Sequence, residues 1–375
     1  MLSYWEQKNF LRYDLIVVGA GFTGLSTAIH FQKKHPKAQI LVLERGIFPT
    51  GASTKNAGFA CFGSLTEILD DLWSMTQDEV IQLVERRYLG LKSIRREFGD
   101  EKLRYHHRGG FELIQADQLK AIDQLEDINK MLKGVFKKKV FSKVKEYREY
   151  GFSDQVKAII YNKFEGELDP GAYLNELWAK ANKIGIKILT GTEVDSFDGD
   201  GGIVFVKGKG DTAPVELMAD RIAICTNAFT GKIWSGAEIN PGRGLILLSK
   251  PLGFDTPWKG AFHYDKGYVY FREIDGRLLI GGGQNQDFEG ENSSEFAVNP
   301  KIRTYLMHLA EEVIFPFREI EWDREWTGIM AFGPKKVPII QPIGQKSAVA
   351  VRLGGMGVAI GWEVGKELSG ILSAL

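Results

Sequence analysis

The stretch DLIVVGAGFTGLSTA, residues 14–28, decides the fold. It places a short apolar run, rich in β-branched residues, directly before three glycines that are spaced two and three positions apart. Such a run is typical of a strand that is buried on both faces of a parallel sheet. We therefore predict a strand at residues 15–18, then a tight turn, and then a helix that begins near Gly21.

The three glycines and a later acidic residue indicate a dinucleotide site. Gly19 permits the tight turn, Gly21 lets the backbone approach a pyrophosphate, and Gly24 allows the helix to pack closely on the strand. A second buried strand is predicted at residues 39–43, and Glu44 follows it 20 residues after Gly24. A carboxylate there accepts the ribose hydroxyls and repels a 2′-phosphate, so the nucleotide is FAD or NAD rather than NADP.

The composition bounds the partner and the compartment. The chain has 375 residues, and its 48 basic and 48 acidic residues give a net charge of zero, which favours a small-molecule partner over nucleic acid. Cys61 and Cys225 are far apart and lack a metal-ligand spacing, so we expect two reduced packing residues and no metal site. We also expect no signal peptide, no membrane span and a cytoplasmic location.

The segment after the second strand points to a flavin. It reads ERGIFPTGASTKNAGFACFGS, residues 44–64, and combines small residues with short hydrogen-bonding side chains. Its glycines and polar residues resemble the GxS…NaG segment of the D-amino-acid oxidase family, which includes glycine and sarcosine oxidases. The resemblance implies FAD rather than NAD, because in that family this segment runs beneath the pyrophosphate and ribityl chain to the isoalloxazine ring.

Three further segments resemble the same family and follow in its order. Residues 168–194 are similar to its second βα unit, which places Val194 near the adenine, and residues 221–231 are similar to its turn beside the pyrophosphate. Residues 349–368 carry the GGxGxxIxW pattern, in which a glycine turn opens a helix. The resemblance implies that the backbone of residues 355–358 stabilises the anionic N1–C2=O edge of the reduced flavin.

The resemblance implies a set of FAD contacts along the chain. Binding is expected to be noncovalent, because neither cysteine lies in the C-terminal region where covalent members of the family attach the ring. The expected cofactor-binding residues are Gly19, Gly21, Phe22, Thr23, Gly24, Glu44, Arg45, Gly51, Ala52, Ser53, Thr54, Asn56, Ala57, Gly58, Val194, Thr226, Asn227, Arg352, Gly354, Gly355, Met356, Gly357 and Val358.

The fold class that we predict is α/β, with two domains. A Rossmann-like FAD-binding domain of the glutathione-reductase type is expected from residues 1–75, 155–240 and 325–375. A second, mostly antiparallel α+β substrate domain is expected from residues 76–154 and 241–324. The evidence for the second domain is helical periodicity at residues 65–97, followed by period-two alternation and an Asp-Gly turn signal at residues 275 and 276.

The substrate-binding residues of the family do not all occur in this chain, because one position departs from the pattern. The family grips the substrate carboxylate with an arginine in a GxRP motif, and here Met330 stands at that position in WTGIM. Arg272 is the first alternative, since Tyr268, Tyr270 and Arg272 alternate along one predicted strand and would share a face. Further alternatives are Arg352, which precedes the glycine turn, and Arg243 and Arg324.

The resemblance implies an FAD-dependent oxidoreductase. It would take a hydride from the CH–NH group of an amino acid or amine onto flavin N5 and leave an imine that hydrolyses. We expect Arg272, Tyr268 and Arg352 to form the catalytic set. Other readings stay open: an alcohol-type or tRNA-borne donor, or a flavin-carrying electron-transfer subunit, with oxygen, a quinone or a carrier protein as the electron acceptor.

Overall fold

The computed structural model describes residues 2–208 and 214–375. The helices are α1 (Tyr4–Phe10), α2 (Phe22–Lys34), α3 (Leu65–Asp71), α4 (Gln77–Phe98), α5 (Leu125–Met131), α6 (Lys133–Phe136), α7 (Pro170–Lys183), α8 (Phe288–Glu291), α9 (Pro300–Leu309) and α10 (Gly357–Ala374). Among the described residues, none of these helices has the length and apolar character that crossing a membrane requires.

The strands of the described residues follow in chain order. They are β1 (Arg12–Val18), β2 (Ile40–Leu43), β3 (Phe59–Ala60), β4 (Gly110–Ile114), β5 (Phe141–Lys143), β6 (Ala158–Asn162), β7 (Gly166–Glu167), β8 (Lys187–Leu189), β9 (Val194–Asp198), β10 (Ile203–Val206), β11 (Val215–Ile224), β12 (Asn240–Ser249), β13 (Ala261–Tyr264), β14 (Val269–Ile274), β15 (Arg277–Gly282), β16 (Trp322–Phe332), β17 (Ile339–Pro342) and β18 (Ser347–Val351).

The chain divides into two compact units, each built from separate stretches. Unit 1 comprises Met1–Lys55, Pro170–Gly242 and Ile329–Leu375, and unit 2 comprises Asn56–Asp169 and Arg243–Gly328. The first boundary, after Lys55, lies 20 residues before the expected residue 75. The second lies 15 residues after the expected residue 155.

Long-range pairing explains where the first two boundaries fall. In unit 2, β3 pairs with β7 through Phe59 and Glu167, and β6 pairs with β4. Leu65 and Ile68 of α3 also pack in a buried cluster with Ile114 on β4. Residues 56–75 and 155–169 therefore belong to unit 2. Their strand and packing partners are distant in sequence, so no local sequence pattern predicts these contacts.

Unit 1 contains the predicted parallel sheet. Neighbouring parallel strands run in the order β8, β2, β1, β11, β18, with β17 antiparallel at one edge and the β9–β10 pair joined to β11. The predicted strand at residues 15–18 lies within β1, and its side chains are fully or almost fully buried, as a two-sided sheet requires. The α/β fold class is confirmed.

Two long helices of unit 1 pack against each other through glycines. A Cβ atom built on Gly365 of α10 would lie 2.5 Å from the Cβ of Ser26 on α2 and 2.6 Å from the carbonyl oxygen of Thr23. One on Gly361 would lie 3.0 Å from the Cβ of Phe22. The glycines thus let the first turns of α2 approach the backbone of α10, as small residues allow wherever helices pack closely.

Unit 2 contains the predicted, mostly antiparallel sheet. Its strands run in the order β16, β12, β15, β14, β13, β4, β6, β5, and the β13–β4 pair is parallel. Helix α9 contributes Ile302, Leu306 and Leu309 to a core cluster that also holds Phe262 of β13 and Phe271 of β14. Alternation along β13 and β14 then places His263, Tyr270 and Arg272 on the opposite side, which we call the Tyr270 face.

A two-residue turn joins β14 to β15. Asp275 and Gly276 both have positive φ angles, 50° and 72°, and Ile274 pairs directly with Arg277. This geometry is that of the type I′ hairpin turn, which Asp-Gly favours. Tyr268 lies one residue before β14 rather than on it, because the turn residues Asp265, Lys266 and Gly267, all with positive φ, precede the strand.

Candidate functional site

The segments that the sequence singled out meet at one edge of the unit 1 sheet. Val18 at the end of β1 is in register with Leu43 of β2 and with Ile224 of β11, and Ile224 is in register with Val349 of β18. These strands are parallel, so the residues that follow each of them emerge at the same edge. In open α/β sheets that edge is where ligands bind.

The first turn has the close contacts that only glycine permits. Gly19 has a φ of 104°, and a Cβ atom there would lie 2.7 Å from the carbonyl oxygen of Cys225. A Cβ on Gly24 would lie 1.8 Å from the carbonyl oxygen of Gly19. Helix α2 begins directly after Gly21, has no side-chain cap from Gly21 and carries no acidic residue in its first turn. Its N–H groups therefore suit an anion.

Glu44 is held as a buried carboxylate at the end of β2. Its two oxygens accept hydrogen bonds from the backbone N–H groups of Ala20, at 3.2 Å, and Gly46, at 3.0 Å. Next to it, the guanidinium of Arg45 lies 3.8 Å from the ring centroid of Phe229. Because each oxygen of Glu44 accepts one backbone hydrogen bond, the carboxylate has lone pairs left for the hydroxyls of a ribose.

Residues 51–54 lie beside the start of α2. The Ser53 hydroxyl oxygen accepts a hydrogen bond from the N–H of Phe22 at 3.1 Å, and the Thr54 hydroxyl donates to the carbonyl oxygen of Pro49 at 2.8 Å. A Cβ atom on Gly51 would have no atom within 4 Å. The predicted small-residue segment is therefore in place next to the glycine turn.

The C-terminal glycine turn forms a second helix start. Gly354 and Gly355 have φ angles of 59° and 78°, and α10 follows with neither a side-chain cap from Met356 nor an acidic residue in its first turn. Asn227 fixes the approach to this turn, because its side-chain oxygen accepts the N–H of Arg352 at 3.1 Å. Two long helices of unit 1 thus begin with donors suited to an anion, which fits a dinucleotide with an anionic ring edge.

The remaining predicted residues of unit 1 have structural partners. The guanidinium of Arg352 donates to the carbonyl oxygens of Val337, at 3.1 Å, and Glu238, at 3.2 Å, so it ties backbone segments together. Val194 is half-buried at the start of β9, and the Thr226 hydroxyl is hydrogen-bonded to that of Thr230 at 2.9 Å. Gly357 and Val358 form the first residues of α10, and Thr23 is buried in α2.

Met330, the departure from the family pattern, lies against the glycine turn. A Cβ atom on Gly355 would be 3.4 Å from the Met330 sulfur, which is ordinary contact. A thioether offers no charge and only a weak acceptor. This position therefore cannot neutralise a substrate carboxylate.

In unit 2, residues 56–58 form a tight bend that packs near Tyr270. The Asn56 side chain accepts the N–H of Gly58 at 2.9 Å, and the Gly58 carbonyl accepts the N–H of Leu168 at 2.8 Å. Ala57 is buried in a cluster that includes Tyr270 and Trp326. The bend leads directly into β3, which begins at Phe59.

Aromatic rings line the Tyr270 face. The Phe59 ring has edge contacts with His263, at 5.4 Å, and with Tyr270, at 5.6 Å between centroids. His263 and Tyr270 are direct neighbours on β13 and β14, and Tyr270 lies opposite Gly281 on β15. Burial raises the pKa of Tyr270 to about 12, so its phenol stays protonated.

Arg272 is a buried guanidinium with spare hydrogen-bonding capacity. It is 4% exposed, donates to the carbonyl oxygen of Leu168 at 3.2 Å and lies 3.9 Å from the carboxylate of Glu167. Glu167 is bound more closely by Arg108, at 2.7 Å. Within the part of the chain that the structure describes, the Nε of Arg272 and one oxygen of Glu167 have no hydrogen-bond partner. Burial lowers the pKa of Arg272, and Glu167 acts in the opposite direction.

The other candidates for a carboxylate anchor are differently placed. Arg243 forms a buried ion pair with Glu291 at 2.8 Å, and Arg324 pairs with Asp323 while its side chain is 66% exposed. Tyr268 is 36% exposed and touches the ring of Phe288. Among the sequence candidates, Arg272 is thus the buried cation with a donor to spare.

The sequence reasoning missed several residues near the Tyr270 face. Phe59, His263 and Trp326 were not singled out, and His263 lies on β13, outside the strand whose alternation drew attention to Tyr270. Glu165 was also missed, and its carboxylate accepts the N–H of Phe62 at 3.0 Å. Only the pairing of β13 with β14 and of β3 with β7 brings these side chains together.

Comparison with known proteins agrees with the fold. Residues 14–371 match the family described as FAD dependent oxidoreductase, DAO. A curated relative from Haemophilus influenzae, titled "Probable oxidoreductase OrdL", is 24% identical over 363 residues and aligns with 92% of this chain and 80% of its own.

Solved structures of the same fold cover nearly the whole chain. Glycine oxidase from Geobacillus kaustophilus has a TM-score of 0.77 at 17% identity, covering 97% of this chain and 95% of its own. The FAD-bound L-α-glycerophosphate oxidase from Mycoplasma pneumoniae has a TM-score of 0.74 at 14% identity, covering 96% and 95%. The family match spans almost all residues, and the glycine turn before α2 fits a dinucleotide. This chain therefore belongs to the DAO family of FAD-dependent oxidoreductases.

Proposed function

We propose that this enzyme oxidises the CH–NH group of an amino acid or amine, with unit 1 holding FAD and unit 2 holding the donor. The observation that carries the donor class is the buried Arg272, whose Nε lacks a partner on an otherwise aromatic face. A buried donor without a partner is costly, and a ligand carboxylate would satisfy it. An L-proline dehydrogenase from P. horikoshii is among the proteins of similar structure, which supports a donor of this kind.

The residues of unit 1 would bind and polarise the cofactor. The N–H groups at the start of α2 would hold the pyrophosphate, and Glu44 would accept the ribose hydroxyls. The start of α10 would place positive partial charge beside the anionic edge of the ring. Bound FAD supplies the two-electron acceptor to which the C–H of the donor passes as hydride.

The residues of unit 2 would orient the donor. Arg272 would bind its carboxylate, Tyr268 and Tyr270 would offer phenol groups, and the rings of Phe59 and Trp326 would exclude water. No protein acid or base is required if the amine enters uncharged, because its lone pair drives the hydride departure. Arg352 would act as a positioning residue, since its guanidinium is bonded to backbone carbonyls that brace the glycine turn.

The Arg272→Ala substitution tests the anchor. Losing a hydrogen bond to a charged group costs about 1.5–3 kcal/mol, so KM for a carboxylate donor is expected to rise roughly 10- to 150-fold. Flavin content, read from visible absorbance, should stay as in the parent. Arg303→Ala is the matched control, because Arg303 is an exposed cation that pairs with Glu325.

The choice of donors separates anchoring from general damage. In Arg272→Ala, a donor amine without a carboxylate should keep its parental KM while amino acids lose affinity. An equal loss for both, or no loss for either, contradicts the role of Arg272.

The donor class is tested by bleaching of the bound flavin without oxygen. D-amino acids, N-methyl amino acids and polyamines form the panel, and glycerol 3-phosphate represents the alcohol donors. Bleaching by members of the amine group supports the proposal. Bleaching by the alcohol alone overturns it.

A further inference from the structure

We propose that Cys61, Glu165 and His263 of unit 2 form a binding site for a divalent cation of the zinc type. One ligand atom from each, the thiol sulfur, a carboxylate oxygen and an imidazole nitrogen, lies within 4.8 Å of the other two. The residues are 6%, 1% and 5% exposed. They follow β3, precede β7 and lie in β13, so the fold assembles a donor set that no sequence spacing reveals.

The distance between two of the candidate ligand atoms fits a shared metal ion. The Nε2 of His263 lies 3.3 Å from an oxygen of Glu165. Zinc bonds to nitrogen and oxygen of about 2.0 Å at a tetrahedral angle place the two ligand atoms roughly 3.3 Å apart. A charge-assisted hydrogen bond between them would be about 2.7–2.9 Å. The observed distance is therefore longer than a strong ion pair and suited to a common cation.

The other oxygen of Glu165 is already oriented by the backbone. It accepts the N–H groups of Phe62, at 3.0 Å, and Gly63, at 3.3 Å. The oxygen beside His263 therefore remains available as a metal ligand. Metal-ligating carboxylates are commonly held by such outer hydrogen bonds.

Buried acidic side chains around His263 are the second, independent observation. Glu112, 3% exposed, lies directly opposite His263 on β4, and its carboxylate is bonded to Ser64 and Thr66. Glu67 also faces the cluster, but Arg87 binds it at 3.2 Å. Burial raises the pKa of the Glu112 carboxyl, and Ser64 and Thr66 donate hydrogen bonds to it, so Glu165 is the carboxyl group that lies beside the imidazole of His263. A divalent cation bound there would give the buried Glu165 a partner of opposite charge.

The donor chemistry selects the metal. Thiolate and imidazole together favour zinc among common cations, whereas magnesium and calcium take oxygen ligands. Burial and the carboxylates of Glu165 and Glu67 raise the pKa of the Cys61 thiol, so zinc binding must displace its proton. Three protein ligands leave the fourth position to water. The cation would fix the β3–β7 ribbon to β13 and so hold Phe59 against His263.

Metal content of the purified, tag-free holoenzyme tests the site. Protein from zinc-supplemented cells is expected to carry about one zinc per chain, as three-ligand sites do. Cys61→Ser and His263→Asn should each lower the zinc retained after gel filtration at least about tenfold. Cys225→Ser, which changes a buried cysteine of unit 1, should retain the parental amount.

Cobalt substitution reports on the sulfur directly. The parent and Cys225→Ser should show a thiolate-to-cobalt charge-transfer band, and Cys61→Ser should lack it. Zinc far below one per chain in the parent, zinc unchanged in Cys61→Ser, or no thiolate band in the parent overturns the proposal. Should both ligand variants lose their flavin through misfolding, the parent's zinc content and cobalt spectrum alone decide.

Discussion

At the scale of single residues, two buried ionisable side chains keep hydrogen-bonding capacity beyond what their protein partners fill. Glu44 is bonded to two backbone N–H groups, and Arg272 keeps an unpartnered Nε. A charge held in low dielectric without full pairing costs stability unless a ligand completes it. Both residues were singled out from the sequence as ligand contacts, one for the ribose and one for a donor carboxylate.

His30 gives the protein a residue-scale response to acid. Its ring lies 4.3 Å from that of Trp362, and burial lowers its pKa from 6.5 to about 4. Between about pH 6.5 and pH 4, His30 is protonated in the unfolded chain but neutral in the folded protein. The free energy of unfolding therefore falls with decreasing pH in this range, by up to roughly 1.4 kcal/mol per pH unit. Above pH 6.5 this penalty vanishes.

Urea unfolding of His30→Phe at pH 7 and pH 5 measures this term. The variant should lose less stability than the parent between the two pH values, because it has no imidazole to protonate. His308→Gln, an exposed histidine of α9, is the control and should behave like the parent. Equal acid sensitivity of His30→Phe and the parent would contradict the assignment.

At the scale of elements, the helix pair α2–α10 depends on glycine contacts. Gly365→Ala would force a methyl group to within 2.5 Å of Ser26, so we expect about 1–3 kcal/mol of destabilisation from overpacking. Gly370→Ala is a control in the same helix, since its nearest neighbour would be the Lys34 Nζ at 3.6 Å. That change should be neutral or stabilising, because alanine is the better helix former.

Denaturant titration of the two variants compares them, and flavin release during unfolding gives a second readout. Both helices begin at glycine turns that are predicted to bind FAD. Gly365→Ala should therefore also release flavin at a lower urea concentration than the parent. Equal midpoints for Gly365→Ala and Gly370→Ala would show that the close approach is not needed.

The elements that were predictable are the local ones. The β1–α2–β2 unit, helix α7 and the β14–β15 hairpin follow from apolar runs, periodicity and turn residues close together in sequence. The two-residue strands β3 and β7 were not predictable, because each exists only through the other. Their pairing moved the unit boundary to Lys55 and brought Glu165 towards His263, which composition and spacing do not encode.

At the scale of the whole molecule, Cys61 and Cys225 are both buried and are not joined in a disulfide. Burial raises the pKa of Cys225 to about 12, so its thiol stays protonated and is a poor nucleophile. A thioether link to FAD is therefore not expected. Acid precipitation of the yellow protein should leave the flavin in the supernatant, for the parent and for Cys225→Ser alike, and a yellow pellet would contradict noncovalent binding.

The turn between β14 and β15 limits how this chain tolerates length changes. With only Asp275 and Gly276 in the loop, deleting either residue leaves too few to reverse the chain, so one strand must surrender a residue and slip by one position. A slip in β14 would exchange its two faces, sending Arg272 towards the aliphatic core and Phe271 outward. Most surface loops absorb insertions and deletions, but here a single lost codon would remove the proposed anchor and unpack the core together.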